Sequence, residues 1–247
     1  MGKRLFDVVA SMAALLVLSP VFLLAAIAIR LSGRGPILYR AQRCGRGGEP
    51  FTMHKFRTMV VEQGPKASAI TASADGRVFP VGRLLRKLKI DELPQLYDVL
   101  RGKMSIVGPR PEDLSIVRDH YAPEHMETLT VRPGLASPGS IYNYTHGERL
   151  VGREHPELDY LQNLLPVKLA LETVYVREAS FAYDLRVILR TLLVIGQIAA
   201  GRRLFPDPPE TARIDRIVPA RMAPAEERQP LDHLPKSSAP QAKAYGP

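Results

Sequence analysis

The segment VVASMAALLVLSPVFLLAAIAI, residues 8–29, contains no charged residue, and basic residues flank it on both sides. Its 22 residues suffice for a helix that spans a membrane. Ser19 and Pro20 lie near its middle, where a proline removes a backbone donor and favours a kink. Because basic flanks prefer the cytoplasmic side, we predict a helix that bends at Ser19-Pro20 and returns to the same face. Ser19 can then satisfy a carbonyl freed by Pro20.

Two alternatives remain open for this segment. A simple spanning helix is the first, although only the short stretch of residues 1–7 precedes the apolar run and leaves nothing folded on the far side. A signal peptide is the second, because Ala26-Ile27-Ala28 resembles a cleavage site. However, the run exceeds the roughly 7–15 apolar residues of a signal core. The re-entrant helix explains more of the pattern than either alternative.

Charge is unevenly distributed along the chain. The 247 residues are 45% hydrophobic and carry a formal net charge of +9. Residues 1–110 hold 18 Lys and Arg against 7 Asp and Glu, whereas residues 111–204 hold 10 against 12. A positive field in the half with the apolar segment suits an anionic membrane, a phosphate-rich ligand, or both. Cys44 is the only cysteine; it excludes an internal disulfide, fits a cytoplasmic setting, and we expect it to be incidental rather than reactive.

The rest of the chain is predicted to be mainly helical with one small β-hairpin, an α+β fold. Two extended runs around the glycines at residues 45, 47 and 48 predict the hairpin. Apolar spacing over residues 81–100 predicts a helix ending near Lys89 and a second starting at Asp91, with Pro94 in its first turn. Residues 62–77 are typical of a polar loop. Helices are also predicted at residues 156–178 and 181–201, the second apolar enough for a membrane interface.

Three regions follow from these patterns. Residues 1–34 are predicted to be the re-entrant membrane anchor, packed under a cytoplasmic catalytic domain at residues 35–204 that has membrane-associated helices. Residues 205–247 contain nine prolines and scattered charge. We therefore predict a proline-rich, mostly disordered tail after residue 204.

The segment RKLKIDELPQ, residues 86–95, places two adjacent carboxylates, Asp91 and Glu92, after a set of cations. If Asp91 begins a helix, the free amides and the dipole of that helix start favour an anion. A phosphate held there with Arg86 would lie beside a carboxylate able to attack phosphorus or to bind Mg²⁺. Taken alone, the pair also fits ordinary helix design, since Asp is a common N-cap and Glu a common first-turn residue.

Other basic residues occupy positions suited to phosphate. Arg110 stands between Pro109 and Pro111, which stiffen the backbone and pre-organise a guanidinium for bidentate binding. Lys55 and Arg57 are two residues apart at the end of a predicted strand, so they share one face. Arg132 precedes a Pro-Gly turn. Each of these side chains, considered separately, also fits a solvent-exposed surface.

Taken in order along the chain, these motifs resemble the bacterial sugar transferase family, the small monotopic phosphoglycosyl transferases. The resemblance begins at KRLFD (residues 3–7), includes Ser19-Pro20, and continues through KFRTM (55–59), DELPQ (91–95) and MSIVGPRP (104–111). It resumes at VRPG (131–134), YV (175–176), SF (180–181) and DL (184–185). It therefore covers roughly residues 3–200, and only the tail lies outside it.

The resemblance implies a transferase that moves a sugar-1-phosphate from a UDP-sugar to polyprenyl (undecaprenyl) phosphate, with release of UMP, as the first membrane step of a polysaccharide or glycan pathway. Asp91 would form a covalent phosphosugar intermediate with the assistance of Mg²⁺, which it would also ligate. Glu92 would support the catalytic site without forming that bond. Arg86 and Arg110 align with phosphate contacts of the family. Further candidate phosphate or substrate contacts are Lys55, Arg57 and Arg132.

The resemblance also implies the bacterial inner membrane, with the catalytic domain facing the cytoplasm. The implied partners are a UDP-sugar, polyprenyl phosphate and the lipid bilayer, without nucleic acid and with a homodimer left open. One stretch departs from the family, because many relatives continue TGWAQVNG after VRPG where this chain has LASPGSIYNY at residues 135–144. We expect that loop to help select the sugar or nucleotide, with Tyr142, Asn143 and His146 as candidate contacts, although an ordinary hydrogen-bonded loop is the simpler interpretation.

Two other functions stay open. A non-catalytic, membrane-anchored protein that binds anionic lipid or nucleic acid would explain the charge and the anchor, but not the Asp-Glu pair or the ordered motifs. An enzyme of the same shape that uses Asp91 and Glu92 only as metal ligands would transfer the sugar-phosphate in a single displacement. Release of UMP from a UDP-sugar in the presence of the lipid carrier would exclude the non-catalytic binding protein. Trapping of a phosphosugar on the protein would exclude the single-displacement enzyme.

Overall fold

The computed structural model describes residues 2–60, 75–152 and 154–217. It opens with two helices, α1 (Gly2–Val17) and α2 (Ser19–Leu31), which are bent by 60° relative to each other. Pro20 cannot donate a hydrogen bond to the carbonyl of Leu16 one turn earlier, and the Ser19 hydroxyl donates to that carbonyl instead, at 2.8 Å. The helix is broken at Ser19-Pro20 and the freed carbonyl is bonded to Ser19, as predicted, whereas the re-entrant course in a membrane stays a prediction.

The first end of this helix pair is bonded to the rest of the chain. Arg4 donates to the carbonyls of Val99 and Leu100 at 2.6 and 2.7 Å. The Asp7 carboxylate is buried and accepts hydrogen bonds from the Ser105 hydroxyl at 2.9 and 3.1 Å. Charged residues that precede the apolar segment therefore contact the main domain.

The second end of the pair is held by Arg57 from the end of the hairpin. Its guanidinium donates to the carbonyls of Ile29, Gly33 and Arg34, at 2.6–3.3 Å. Ile29 lies in the last turn of α2, and Gly33 and Arg34 follow its end, so one guanidinium ties the end of the helix to the hairpin. Among the residues placed in the structure, no single helix is long and apolar enough to cross a membrane, but α1 and α2 together reach that length and composition.

The predicted hairpin is confirmed. Strands β1 (Leu38–Cys44) and β2 (Pro50–Phe56) pair antiparallel, with Leu38 opposite Phe56. The turn between them uses Gly47 at φ +71°, a left-handed conformation that glycine adopts without strain. One face of the hairpin packs into a small core made of Ala41, Phe51, Met53, Val99 and Met104.

The next segment differs from its prediction. Helix α3 (Pro80–Lys87) ends close to the predicted place, but a 3₁₀ turn (Ile90–Glu92) follows it, and α4 (Gln95–Leu100) begins only after Pro94. The prediction that a helix begins at Asp91 is wrong. Lys89 is left-handed at φ +56°, which turns the chain. The hydrogen bonds that follow it span three residues, as from the Leu93 amide to the Ile90 carbonyl, so a 3₁₀ turn forms in place of the helix.

A second, parallel sheet of two strands was not predicted. Strand β3 (Ser105–Val107) pairs with β4 (Gly134–Ala136). Just beyond β3 the two chain segments approach so closely that a side chain at Gly134 would overlap the backbone of Gly108. The Gly134 amide also donates to the Pro109 carbonyl at 2.8 Å. This contact fixes the start of the loop that carries Arg110.

Most of the remaining core is helical, so the mainly α, α+β class is confirmed. The helices are α5 (Leu114–His120), α6 (Pro138–Leu150), α7 (Pro156–Asp159), α8 (Leu165–Glu178) and α9 (Phe181–Ala199). A π-helical turn (Tyr160–Leu164) joins α7 to α8. Helices were predicted at residues 156–178 and 181–201, and both are present.

The first part of the predicted tail packs against the domain. Glu210 is only 1% exposed and accepts hydrogen bonds from Tyr183 at 2.9 Å and from Arg190 at 2.5 Å. A short helix, α10 (Thr211–Ile217), follows and contacts α8. Residues 205–217 therefore pack against the domain, although residues 205–208 form no helix or strand. Residues 218–247 and most of the predicted loop at 62–77 lie outside the described residues.

Candidate active site

The 3₁₀ turn after α3 brings Asp91 and Glu92 together in a buried position. The two residues are 7% and 5% exposed. Ile90, which precedes them, packs into the core beside α2 and α3 and so fixes the turn. Burying two adjacent carboxylates is costly unless cations or hydrogen-bond donors compensate for the lost hydration.

Glu92 receives this compensation in full. Its Oε1 accepts from Lys55 at 3.0 Å and from Arg110, and its Oε2 accepts from Arg110 at 3.1 Å and from the Tyr144 hydroxyl at 3.0 Å. Burial alone would raise the pKa of Glu92, but Arg110 and Lys55 outweigh it and hold the pKa well below its usual value. The ionised form of Glu92 is therefore favoured within a network of donors.

Asp91 has the opposite surroundings. Its Oδ1 is buried without a hydrogen-bond partner in the part of the chain that the structure describes. Burial and the neighbouring Glu92 raise the pKa of Asp91, although Lys55, Lys89 and Arg86 oppose the shift. An unpaired buried oxygen is rare in native proteins. Asp91 is therefore the carboxylate of the pair that remains free to bind or to react.

Two members of this cluster were not predicted as site residues, Lys89 and Tyr144. The Lys89 ammonium lies 3.7 Å from the centre of the Tyr144 ring. Burial lowers the pKa of Lys89 to about 8, while Glu92 and Asp91 act in the opposite direction. Lys89 stood in the basic stretch before Asp91, which was a signal. Tyr144 joins Glu92 across 52 residues of sequence, and no local pattern reports such a contact.

The basic residues predicted for the site divide into two groups. Lys55 and Arg110 bond directly to Glu92. Arg86 lies beside the pair: its Nε donates to Thr58 at 2.8 Å, and burial lowers its pKa while Asp91 partly offsets that effect. These three side chains form, with the two carboxylates, one charged cluster.

Arg57 and Arg132 have different contacts. Arg57 is 5% exposed and donates to the carbonyls at the end of α2. Arg132 donates to the Gly102 carbonyl at 2.9 Å. The structure brings neither guanidinium into hydrogen-bond contact with Asp91 or Glu92.

A buried acid supports the Arg110 loop from behind. Glu172 on α8 accepts from the Arg110 backbone amide at 3.1 Å and from the Ser137 hydroxyl at 2.6 Å. Burial raises the pKa of Glu172 to about 7. Beside it, Lys168 is paired with Glu112, and both are buried. Glu172 thus fixes the backbone of the loop at Arg110, while the Arg110 side chain bonds to Glu92.

The other candidates lie elsewhere. Tyr142 and His146 stack on each other with ring centres 4.4 Å apart, and His146 Nε2 lies 3.2 Å from Asp207. Neither bonds to Asp91 or Glu92, and the proposed substrate contacts of Tyr142, Asn143 and His146 stay predictions. Burial raises the pKa of Cys44 to about 11, which disfavours the reactive thiolate.

The implied Mg²⁺ fits this arrangement at one residue. The oxygens of Glu92 are already engaged, whereas the buried Oδ1 of Asp91 is not. Among the described residues there is no group of three or more His, Cys, Asp or Glu side chains that could hold a metal ion. Mg²⁺ commonly uses one or two carboxylates and completes its shell with phosphate oxygens and water. Asp91 is suited to that kind of site.

Comparison with known proteins adds independent information. A family model described as bacterial sugar transferase matches residues 1–197. The chain is 38% identical over 193 residues to a UDP-glucose:undecaprenyl-phosphate glucose-1-phosphate transferase of Caulobacter vibrioides, covering 77% of this chain and 68% of that protein. It is 36% identical over 210 residues to the exopolysaccharide production protein ExoY of Rhizobium meliloti, covering 78% and 84%.

A third relative is much longer than this chain. It is an undecaprenyl-phosphate glucose phosphotransferase of Komagataeibacter xylinus, 37% identical over 200 residues. The match covers 77% of this chain but only 35% of that protein. Each of the three matches covers 77–78% of the present chain. The family model, which matches residues 1–197, includes the helix pair and the charged cluster.

Proposed function

Because the chain belongs to the bacterial sugar transferase family, we propose that it moves a sugar-1-phosphate from a UDP-sugar to undecaprenyl phosphate and releases UMP. The names of two relatives specify undecaprenyl phosphate, and one also specifies a UDP-sugar. One structural observation carries the proposal: the Asp91 Oδ1 is buried, unpaired within the described residues and surrounded by cations. A non-catalytic protein that binds lipid or nucleic acid has no use for such a group.

The proposed reaction has two steps at Asp91. First, a carboxylate oxygen of Asp91 forms a bond to the sugar-bearing phosphorus, and the bond from that phosphorus to the UMP oxygen breaks. Second, an oxygen of undecaprenyl phosphate attacks the same phosphorus and displaces Asp91. The products are UMP, polyprenyl-diphosphosugar and a regenerated carboxylate. Two bulky anions then use one small site in turn.

The charged cluster supports this chemistry by neutralisation and positioning. Lys55, Arg86 and Arg110 are cations within the cluster around Asp91, where the transferring phosphate must lie. Bound Mg²⁺, held by Asp91 with substrate oxygens, would neutralise charge on the phosphoryl group. Glu92 already accepts bonds from Lys55 and Arg110, so we assign it the role of holding the cations in place.

A screen of UDP-sugars for UMP release in the presence of undecaprenyl phosphate first identifies an active substrate. The test is then a single-turnover assay with that UDP-sugar, with Mg²⁺, with enzyme in excess over substrate and without lipid acceptor. We expect the wild type to release UMP in a burst stoichiometric with substrate. Asp91→Asn keeps the size of the side chain but should show no burst. It should also acquire no label from a UDP-sugar that is labelled in the sugar-bearing phosphate. Asp119→Asn, at an exposed paired carboxylate, is the control and should behave as the wild type.

Two results would change the assignment. A burst that persists in Asp91→Asn shows that Asp91 is not the nucleophile. Wild-type UMP release that occurs only when undecaprenyl phosphate is present supports single displacement, with the carboxylates acting only on metal. Glu92→Gln should impair the whole cycle, because Lys55 and Arg110 lose a charged partner.

The membrane arrangement is part of the proposal. We propose that α1 and α2 enter the cytoplasmic leaflet of the inner membrane and return, because both ends of the pair are bonded to the same domain. Apolar side chains along the pair are exposed, among them Leu16 at 76% and Leu31 at 82%. Phe6 of α1 contacts Phe181 at the start of α9, and α9 also exposes leucines, including Leu189, Leu192 and Leu193. These faces suit lipid better than water.

A further inference from the structure

Lys89 has an unusual backbone for a residue beside the carboxylate pair. Among the residues that the structure describes, it is the only non-glycine residue with positive φ, at +56°. A left-handed conformation costs a lysine about 1–2 kcal/mol, and such strain tends to persist at functional sites. The conformation ends α3 and starts the turn that carries Asp91 and Glu92.

The aromatic ring of Tyr144 holds the Lys89 side chain within the cluster. The Tyr144 hydroxyl donates to Glu92 at 3.0 Å and lies 3.3 Å from an Arg110 Nη1 that donates to it. This fixes the ring, and the Lys89 ammonium rests 3.7 Å from the ring centre. A cation on an aromatic face is held by the electrostatic attraction of the ring, and the N–H groups that do not point at the ring stay available.

Lys55 and Lys89 therefore differ in the hydrogen-bond donors that they have available for a ligand. Lys55 donates to Glu92, whereas the Lys89 ammonium donates no hydrogen bond to another described residue. An ammonium group has three N–H donors, and phosphate oxygens are among its strongest acceptors. The nearby Asp91 Oδ1 also lacks a partner within the described part of the chain. A free donor and a free acceptor thus belong to one cluster, in which the Lys89 charge acts on the pKa of Asp91.

We propose that Lys89 binds the sugar-bearing phosphate of the UDP-sugar, and that Tyr144 is the positioning residue that holds Lys89 there. The inference rests on the proposed function, which supplies the diphosphate. The contact falls on the phosphate next to Asp91 rather than on the phosphate that leaves with UMP. Lys89 thereby aligns the phosphorus for attack and helps to neutralise its oxygens.

The experiment compares binding of UDP and UMP to the full chain in detergent with Mg²⁺, by calorimetry. UDP carries a terminal phosphate in the place of the sugar-bearing one, and UMP lacks it. Lys89→Met should weaken UDP binding by about tenfold, as expected for one charge-assisted phosphate contact, and leave UMP binding unchanged. Lys89→Arg should retain most of the affinity for UDP. Lys87→Met, two residues earlier at an exposed position, should match the wild type.

Tyr144 is tested with a matched pair of variants. Tyr144→Leu removes the ring face and should reproduce the selective loss of UDP binding, while Tyr144→Phe keeps the face and should retain more of it. The double variant of Tyr144→Leu with Lys89→Met should bind UDP no more weakly than Lys89→Met alone, because both changes remove the same contact. If the losses of UDP affinity in the two single variants add up in the double variant, Tyr144 does not act through Lys89 and the positioning role is contradicted.

The outcomes separate this inference from the function on which it rests. If Lys89→Met weakens UDP and UMP equally, or weakens neither, Lys89 does not bind the sugar-bearing phosphate. A lower melting temperature with unchanged UDP binding shows that Lys89 only balances the charge of the carboxylates. If the wild type binds no UDP and releases no UMP from any UDP-sugar, the proposed function itself fails.

Discussion

Asp91 and Glu92 are neighbours in sequence, yet their carboxylates have opposite environments. Glu92 accepts hydrogen bonds from Lys55, Arg110 and Tyr144, so its pKa is held well below the usual value. Asp91 keeps an unpaired oxygen, and burial together with Glu92 raises its pKa. Two acids whose pKa values are pushed apart usually have different roles. Here one organises the cations, and the other remains free for the phosphate.

Removal of either arginine beside this pair should slow the reaction. We expect Arg110→Ala and Arg86→Ala each to reduce turnover by about tenfold or more, as for loss of a charge-assisted phosphate contact. Arg110→Ala also leaves Glu92 with fewer donors. Steady-state UMP release, with thermal unfolding as a check of the fold, measures the effect. Arg118→Ala, at a half-buried arginine that pairs with the exposed Asp119, is the control. If both test variants fold and keep near wild-type turnover, Arg86 and Arg110 have only an ordinary surface role.

Glu172 should make stability depend on pH. Its pKa is raised from 4.5 to about 7 by burial, so the unfolded chain releases this proton at lower pH than the folded chain. The contribution is complete below pH 4.5 and is lost as pH rises towards 7, on the order of 3 kcal/mol in total. Glu172→Gln can still accept the bonds from Ser137 and Arg110. Because Gln does not titrate, Glu172→Gln should lose less stability than the wild type as the pH rises across that range.

The measurement is the melting temperature of both proteins in detergent between pH 4.5 and 8. Only the difference between the two curves matters, because other groups titrate as well. Glu124→Gln, at an exposed position, should give a curve parallel to that of the wild type. Parallel curves for Glu172→Gln would mean that folding does not raise the pKa of Glu172.

Elements with a strong local signal were predictable from sequence. The break at Ser19-Pro20 and the hairpin around Gly47 follow from a proline without an N–H and from glycines that tolerate positive φ. The 3₁₀ turn at Asp91 was not predicted, since the left-handed Lys89 competes with a good helical pattern. The β3–β4 pair and the Tyr144 contact depend on residues far apart in the chain. Local periodicity carries no information on such contacts.

The helix pair makes a prediction about topology. In sealed vesicles, a cysteine at residue 2 and one at Lys103 should react with an impermeant maleimide from the same side, in a Cys44→Ser background. Pro20→Ala restores the N–H that the Leu16 carbonyl lacks, so it should straighten the pair, shift part of the population towards spanning and reduce activity. Labelling of residues 2 and 103 from opposite sides in the otherwise wild-type chain would contradict the re-entrant arrangement.

The segment of residues 204–217 packs on the domain, although its composition predicts a disordered tail. Between residues 204 and 217 the chain crosses α6, α8 and α9. Arg213 pairs with Glu178, Asp207 lies beside His146, and Ile214 packs on the largest apolar cluster. Nine prolines and balanced charge over residues 205–247 conceal these few anchoring side chains. The average of a segment is therefore a poor guide to its first dozen residues.

Two truncations test how much of this segment belongs to the fold. A chain that stops after residue 217 should melt close to the full-length protein, whereas one that stops after residue 203 should melt several degrees lower. The shorter chain leaves Tyr183 and Arg190 without Glu210, and it uncovers apolar surface beneath Ile214. Because no described residue of the segment bonds to Asp91 or Glu92, the burst of UMP from the folded fraction should persist in both chains. Equal melting temperatures would show that residues 204–217 only rest on the domain without stabilising it.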